Sequence, residues 1–281
     1  KNKDCGYFYE ADSNNFSKIP GDPFAYWISD KFVSTFENDL VGDIVQSKAG
    51  VVTGNDPYFV RCWYEINLKD IGFSKNEIDE YPKYAIMQKG GPFRRYYGNN
   101  WYVIKLNDLY DGKKTNVSVR RGDADYYFKK GIGWSQIGSN QGKSFRIIEK
   151  SICGTATPTI YVDDDEKYYY LLGLLNSPIT EVVVNLSNPT INLLTSDICK
   201  IPFVFSKEDK EVIHRINEKV KCNINMCKND WDSFETSLDF TKHPLVSNHR
   251  DLLEQQELQF HDVRMDKFGL VSWHYDKWEN E

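Results

Sequence analysis

The sequence predicts an α+β fold: a strand-rich body with short helices, then one longer helix and an acidic C-terminal segment. Three observations predict it. Through the first half of the chain, β-branched and aromatic residues run in short stretches between glycine-containing turns, the composition of a pleated, half-buried surface. Ile213, Ile216, Val220 and Ile224 recur at helical spacing. From Asp230 to Glu281, twelve acidic residues stand against five basic ones.

The elements follow in order. "KIPGDPF" holds Ile-Pro-Gly-Asp-Pro, a rigid, turn-rich run. "AYWISDKFVSTFEN" then reads as a short helix with Phe32 and Phe36 on one face. "LVGDIVQSKAGVVTGNDPYFVRCWYEI" reads as strand, turn at "TGND", strand. Residues 81–107 continue the sheet. With "FRRYY" as a strand, Phe93, Arg95 and Tyr97 share one face while Arg94 and Tyr96 take the other; "GNN" turns, and "WYVIKL" returns. "DADYYFKKGIGWSQI" and "KSFRIIEK" keep the β pattern, and Trp63, Trp101 and Trp134 fall in strand-like runs as core candidates. "KYYYLLGLLNSPITEVVVNLS" is helical but broken at Ser177-Pro178, giving two short helices. "TINLLTSDICKIPFVF" is strand or extended chain, after which Ser206 N-caps a helix reaching to about Lys228. In "DWDSFETSLDFTKHPL", Trp231, Phe234 and Phe240 are packing candidates.

Composition excludes several classes. With 281 residues and 40% apolar content, the chain can bury one large core or two smaller ones. Its longest apolar run, "YYYLLGLL", falls well short of the roughly 20 residues of a membrane helix. "KNKDCGYFYE" is no signal peptide, so a cytoplasmic location with reduced thiols is expected and no membrane partner. Lacking an initiating methionine, the chain is expected to be a piece of a longer protein. The spacing of Cys222 and Cys227 suits neither a zinc knuckle nor a redox pair, and no metal role is expected.

Catalytic signatures are missing as well. The chain has no GxGxxG or Walker-type phosphate loop, no GxSxG elbow and no HExxH pair. The acidic run "VDDDEKYY" suits a cap before a helix better than a set of metal ligands on adjacent strands. Asn188-Pro189-Thr190 lacks the second proline and the aromatic of an amino-methyltransferase loop. Taken alone, this segment is expected to catalyse nothing.

Charge is distributed unevenly. Between Lys83 and Lys130, eleven Lys/Arg face four Asp, so a basic middle sits inside a chain of net charge −6. Such a field could steer and hold a polyanion, or could simply solvate a sheet face. Arg94 and Arg95 are the leading candidates for DNA contact, with Lys48 and Lys89, beside glycines, for phosphate. Thr53, Asn55 and Asp56, and likewise Asn99 and Asn100, are turn formers first and DNA contacts second. Of Tyr96 and Tyr97 one packs inward and the other reaches sugar or phosphate, and Lys129 and Lys130 extend the basic stretch.

Seven segments in this order, "KIPGDPFAYWISD", "KAGVVTGNDPYFVRCWYE", "KGGPFRRYYGNN", "YYFKKGIGWS", "LLGLLNSP", "NPTINLLTSDICKIP" and "DWDSFETSLDFTKHPL", carry a family resemblance over roughly residues 8–245. Together they resemble the C-terminal half of PglX-type adenine-specific DNA methyltransferases of the BREX/Pgl phage-defence systems. Type IIG restriction-modification enzymes share part of the pattern. The resemblance implies that the S-adenosylmethionine pocket and the Asn-Pro-Pro-Tyr loop lie in the parent enzyme's upstream portion, and that this segment holds no cofactor. What remains is similar to a target-recognition region, akin to half of a type I specificity subunit. It implies a recognition domain over residues 1–205, a spacer helix over 206–229 and a docking or wrapping segment over 230–281. The implied partners are double-stranded DNA, the N-terminal methyltransferase domain of the same parent and other defence subunits. An enzyme that flips adenine out of a duplex needs another surface to read the flanking bases, and "TGND" and "RRYYGNN" are where that surface is expected. Two rivals stand beside this: a protein-interaction module docking defence subunits, favoured by the acidic end, and a carbohydrate-binding module, which the arginine-rich turn fits poorly.

Overall fold

A computed structural model describes residues 17–23, 27–80, 83–110, 119–138, 141–188, 190–206 and 208–246. The chain divides into a compact unit ending at Asp239 and a second unit, Phe240–Glu281, of which only 240–246 are described. The architecture is α+β, as expected: two small sheets with helices between and around them.

The first sheet joins β1 (Gln46–Ser47), β9 (Thr159–Tyr161), β6 (Gly131–Trp134) and β7 (Phe145–Ile148) in that order, all antiparallel. The second sheet runs β2 (Val60–Cys62), β5 (Tyr102–Lys105), β4 (Tyr84–Gln88), β3 (Ile71–Gly72), and β8 (Ile152–Cys153) pairs β4 in parallel beyond the end of β3. The chain leaves the first sheet after β7, adds β8 to the second, and returns as β9. This shuttle couples the two sheets.

Strand alternation sorts the side chains of the second sheet. Ala85, Met87 and Ile104 face one cluster with Val51, Phe59, Leu106, Leu109 and Ile152, while Ile86 and Val103 face another with Ile71 and Leu238. The first sheet packs Ile132, Trp134, Phe145 and Ile160 against helices α6 (Asp165–Leu175) and α7 (Pro178–Ser187), forming the largest core. Each such side chain, fully buried, stabilises by about 1.5–3 kcal/mol relative to exposure. Two of the core candidates are less buried than expected: Trp134 is fully enclosed, but Trp63 and Trp101 are half-buried on the second sheet.

Local chemistry sets the helices, of which α1 (Asp30–Val33), α2 (Val41–Ile44), α4 (Lys75–Glu80) and α5 (Asn107–Tyr110) are one or two turns long. Asp164 caps α6 by accepting from the backbone N–H of Glu166 and Lys167, the capping role its acidic run predicts. Asn176 and Ser177 end α6, and Pro178, with no N–H to lose, opens α7. Helix α9 (Lys210–Asp232) buries Ile213, Val220 and Ile224, with Ile216 half-buried. It crosses α6 closely: a methyl group added at Gly173 would stand 2.8 Å from Val220. Ser206 does not cap this helix; it caps the turn before it, accepting from Glu208 N–H, and Asp209 occupies the N-cap position. The helix also extends past Lys228, ending in the buried Trp231; Phe234 beyond it is exposed. No helix among the described residues is long and apolar enough to cross a membrane.

Three sequence expectations change. "TGND" does not close a hairpin: Asp56-Pro57 nucleates the one-turn helix α3 (Asp56–Phe59), because proline pre-sets helical φ at its start. "TINLLTSDICK" is only partly extended, since Thr195–Ile198 forms a helical turn, α8. "FRRYY" is no strand. The returning strand β5 pairs with β4 instead, and residues 89–101 connect the two as a long irregular loop in which Gly90, Gly91, Tyr96, Gly98 and Asn99 all have positive φ. A chain with that many left-handed residues cannot alternate its side chains between two faces.

Candidate nucleic-acid interface

Residues 48–57 form a strap across the second sheet's parallel edge. Val51 N–H donates to the Cys153 carbonyl at 2.8 Å, and Thr155 N–H donates to the Val51 carbonyl at 3.2 Å. On the strap's other side, Val52 and Arg120 exchange two backbone hydrogen bonds of 2.8 and 2.9 Å. Gly50 is required by close approach, since a Cβ there would lie 2.6 Å from the Gly154 carbonyl carbon. The strap therefore places exposed Arg120 beside Val52.

Cations stand at both ends of it. At one end, the Lys48 and Lys129 ammonium groups lie 4.9 and 4.2 Å from the Tyr126 ring centroid, and Lys48 pairs with Asp123 at 3.5 Å. At the other, Lys89 pairs with Asp56 at 2.6 Å, and the buried Thr53 hydroxyl donates to the same carboxylate. Burial raises the Asp56 carboxyl, but hydrogen bonds from Lys89 and Thr53 outweigh this and hold it below its ordinary value. An open depression of about 460 Å³ lies here, lined by Thr53, Asn55, Asp56, Lys89 and Thr155 among others. Asn55 accepts the first helical bonds of α3 through its carbonyl, and its side chain makes no cap bond.

The 89–101 loop begins at the same lysine. Gly90 N–H donates to the Thr157 hydroxyl, and the Ser135 hydroxyl donates to the Gly91 carbonyl at 2.9 Å. Arg94 pairs with Asp230 at 2.6 Å and lies 5.4 Å over the Trp231 ring. Arg95 is exposed, 5.3 Å from the Phe93 ring. Tyr96 joins the edge of β7 by two backbone hydrogen bonds, to Phe145 and Ile147. The Tyr97 hydroxyl is bonded to Lys228 at 3.3 Å, and burial pushes its phenol up. Asn99 is a turn former: left-handed, buried, and donating to the Pro92 carbonyl. Asn100 accepts from Gln88 at 2.7 Å.

The ten candidates thus form two groups. Lys48, Thr53, Asn55, Lys89 and Lys129 gather around the strap, while Arg94, Arg95, Tyr96, Asn99 and Asn100 belong to the loop that Lys89 opens. Only Arg95 and Lys129 among them are freely exposed cations; Lys48, Lys89 and Arg94 are shared with carboxylates. Strand alternation assigns Arg94 and Arg95 to opposite faces. Arg94 turns to Asp230 and Arg95 is exposed, but no strand pleat separates them.

Sequence reasoning missed two contributors. Arg120 lies in the basic stretch, but its place beside "TGND" depends on a pairing across some 70 residues. Arg146 is fully buried under the loop, where Nη2 donates to the Gly90 carbonyl at 3.1 Å and burial pushes the guanidinium down to about 10. Its signal was a single arginine in the apolar strand "SFRII".

No family model matches the chain. Two curated relatives do. The adenine-specific methyltransferase PglX of Lacticaseibacillus casei (strain Zhang) is 27% identical over 259 residues, covering 88% of this chain. The adenine-specific methyltransferase BrxX of Escherichia coli O9:H4 (strain HS) is 28% identical over 240 residues, covering 84% of it. The chain spans only about a fifth of the length of either, 21% and 19%. Similarity sustained along nearly the whole chain, at one level in both relatives, is the mark of common descent: the chain is homologous to adenine-specific methyltransferases of the PglX/BrxX type.

Proposed function

We propose that this chain is the DNA target-recognition segment of an adenine-specific DNA methyltransferase of a phage-defence system, acting in the cytoplasm. The observation that carries the reading is the homology itself, which runs through most of this chain and only a fifth of each relative. S-adenosylmethionine chemistry belongs to the remainder of the parent enzyme, and this segment's task is to hold the duplex while a base is flipped elsewhere. Lys48, Lys129 and Arg120 along the strap would contact phosphates, which position without specifying. The loop at residues 89–101 would supply the base contacts.

The charges on this face support the reading. Lys89 and Lys48 are held by Asp56 and Asp123 at partly exposed positions, where such pairs are worth only about 0–1 kcal/mol. A phosphate can therefore displace either carboxylate at small cost. The test is anisotropy of a labelled random-sequence duplex with the 281-residue chain and its Lys48→Glu/Lys89→Glu/Lys129→Glu variant. Loss of binding in the variant, with unchanged thermal unfolding, supports the assignment; equal binding by both removes the strap from the interface.

A docking role keeps one specific observation. Ile137 and Ile191 are 66% and 64% exposed and adjoin through the Gly138–Ile191 backbone bond, and Ile137 shares a small cavity with Gly91, Pro92 and Phe93. In a segment of a larger enzyme, such an exposed apolar pair would meet the parent's own methyltransferase domain or another defence subunit.

A further inference from the structure

The neighbouring arginines of the 89–101 loop share a charge and little else. Arg94 is engaged within the molecule, although its side chain and that of Asp230 stay 35% and 57% exposed. Its Nη1 donates to Asp230 at 2.6 Å, and its guanidinium lies over Trp231, which is only 3% exposed. Trp231 in turn packs against Trp101, ring centroids 5.3 Å apart and planes tilted by 46°, and a Cβ added at Gly98 would touch its ring at 3.0 Å. One turn earlier on α9, Lys228 bonds Tyr97, Asp232 and Asp239. Burial draws this ammonium down, but the two carboxylates outweigh it and leave it above its ordinary value, so it stays charged. Arg94, Tyr97, Gly98 and Trp101 are thus stitched to the last turn of α9, while Tyr96 is stitched to β7.

Arg95 stands between these fixed points and turns outward. Among the described residues no carboxylate pairs with it, and its guanidinium rests against the Phe93 ring. Phosphate attraction needs only a cation on a mobile stem, which Lys48 and Lys129 already supply. A planar fork supported by a ring, on backbone pinned at both sides, has part of its ordering entropy met in advance, which favours reading a base edge. The matching edge is the O6/N7 pair of guanine in the major groove.

We propose that Arg95 is the specificity-determining residue of this loop, reading a guanine, and that Arg94 is a positioning residue acting through Asp230 and Trp231. The inference rests on the DNA-recognition reading above and goes beyond it by separating the two arginines. It is tested by selecting duplexes from a randomised pool with the 281-residue chain, then with Arg95→Ala, Arg94→Met and the reversed pair Arg94→Asp/Asp230→Arg.

The wild-type chain is expected to enrich a motif. Arg95→Ala should relax one G·C position of it and lose about tenfold or more on the wild-type motif, with little change on unrelated duplexes. Arg94→Met should weaken binding while keeping every position, and the reversed pair should recover it. Arg95→Ala that weakens all duplexes alike and lowers the salt slope by about one makes Arg95 a phosphate contact and overturns the inference. So does an unchanged motif in Arg95→Ala, or a relaxed position in Arg94→Met. A wild-type chain that binds no duplex fails differently, because it removes the recognition reading itself. Arg95 is exposed, so its substitution should leave thermal unfolding unchanged and the comparison interpretable.

Discussion

Arg146 takes a full positive charge into the space between the sheets, where one of its nitrogens bonds the Gly90 carbonyl and Nε and Nη1 bond nothing among the described residues. Burial lowers its folded pKa to about 10, so between that value and its unfolded range the unfolded chain binds the proton more tightly. The charge therefore opposes folding at neutral pH, and that opposition fades only as pH rises through about 10. Arg146→Met should keep the volume and remove the buried charge. Its urea midpoint is expected to equal or exceed the wild-type value, by up to about 1–4 kcal/mol in stability. A fall of that size would instead mean that the Gly90 contact outweighs the desolvation. Asp56 gives a second single-residue prediction. Asp56→Asn leaves the Thr53 contact possible and removes the carboxylate that a phosphate must displace from Lys89, so duplex affinity should rise at every salt concentration while the salt slope, which already counts Lys89, stays the same. Anisotropy at several salt concentrations reads both quantities.

At the scale of elements, the strap and the loop depend on glycines that local sequence cannot explain. Gly50 faces the Gly154 backbone, and Gly98 combines φ of +123° with the Trp231 ring. Gly98→Ala should cost about 1–3 kcal/mol through the strained conformation, lowering the thermal midpoint and loosening the loop from α9. A melting curve identical to wild type would contradict the stitching of loop to helix. The same elements mark what the sequence makes legible. Helices α6, α7 and α9, the Asp164 cap and the break at Ser177-Pro178 are readable because caps, proline and 3.6-residue spacing are local. "FRRYY" misled because its conformation is set by distant partners, Phe145 and Trp231, while "TGND" is diverted locally by Asp56-Pro57 and held in place by Gly154 and Arg120. Alternation is a sound rule for strands, but nothing nearby in the sequence announces the left-handed Tyr96. Six of the ten interface candidates, Lys89, Arg94, Arg95, Asn99, Asn100 and Lys129, are legible as charged or turn residues in one stretch, yet their division into strap and loop is not.

At the scale of the molecule, two sheets sharing a shuttle of strands hold a basic strap and a pinned loop next to one another, joined at Lys89 and Gly90. Acidic residues of α9 take part in this arrangement: Asp230 and Asp232 neutralise Arg94 and Lys228, while Arg95, Arg120 and Lys129 are exposed to solvent. That explains how an acidic chain can present a basic face. Homology to adenine-specific methyltransferases makes DNA the partner this face is proposed to meet. The most direct test is duplex binding by the 281-residue chain as salt is raised from 50 to 200 mM, concentrations chosen because counterion release is steep between them. The account predicts tight binding at low salt and a linear fall of log affinity against log salt, with a slope of about −3 to −4 for the strap lysines and Arg120. No binding to any duplex at the lowest salt, or an affinity indifferent to salt, would contradict it.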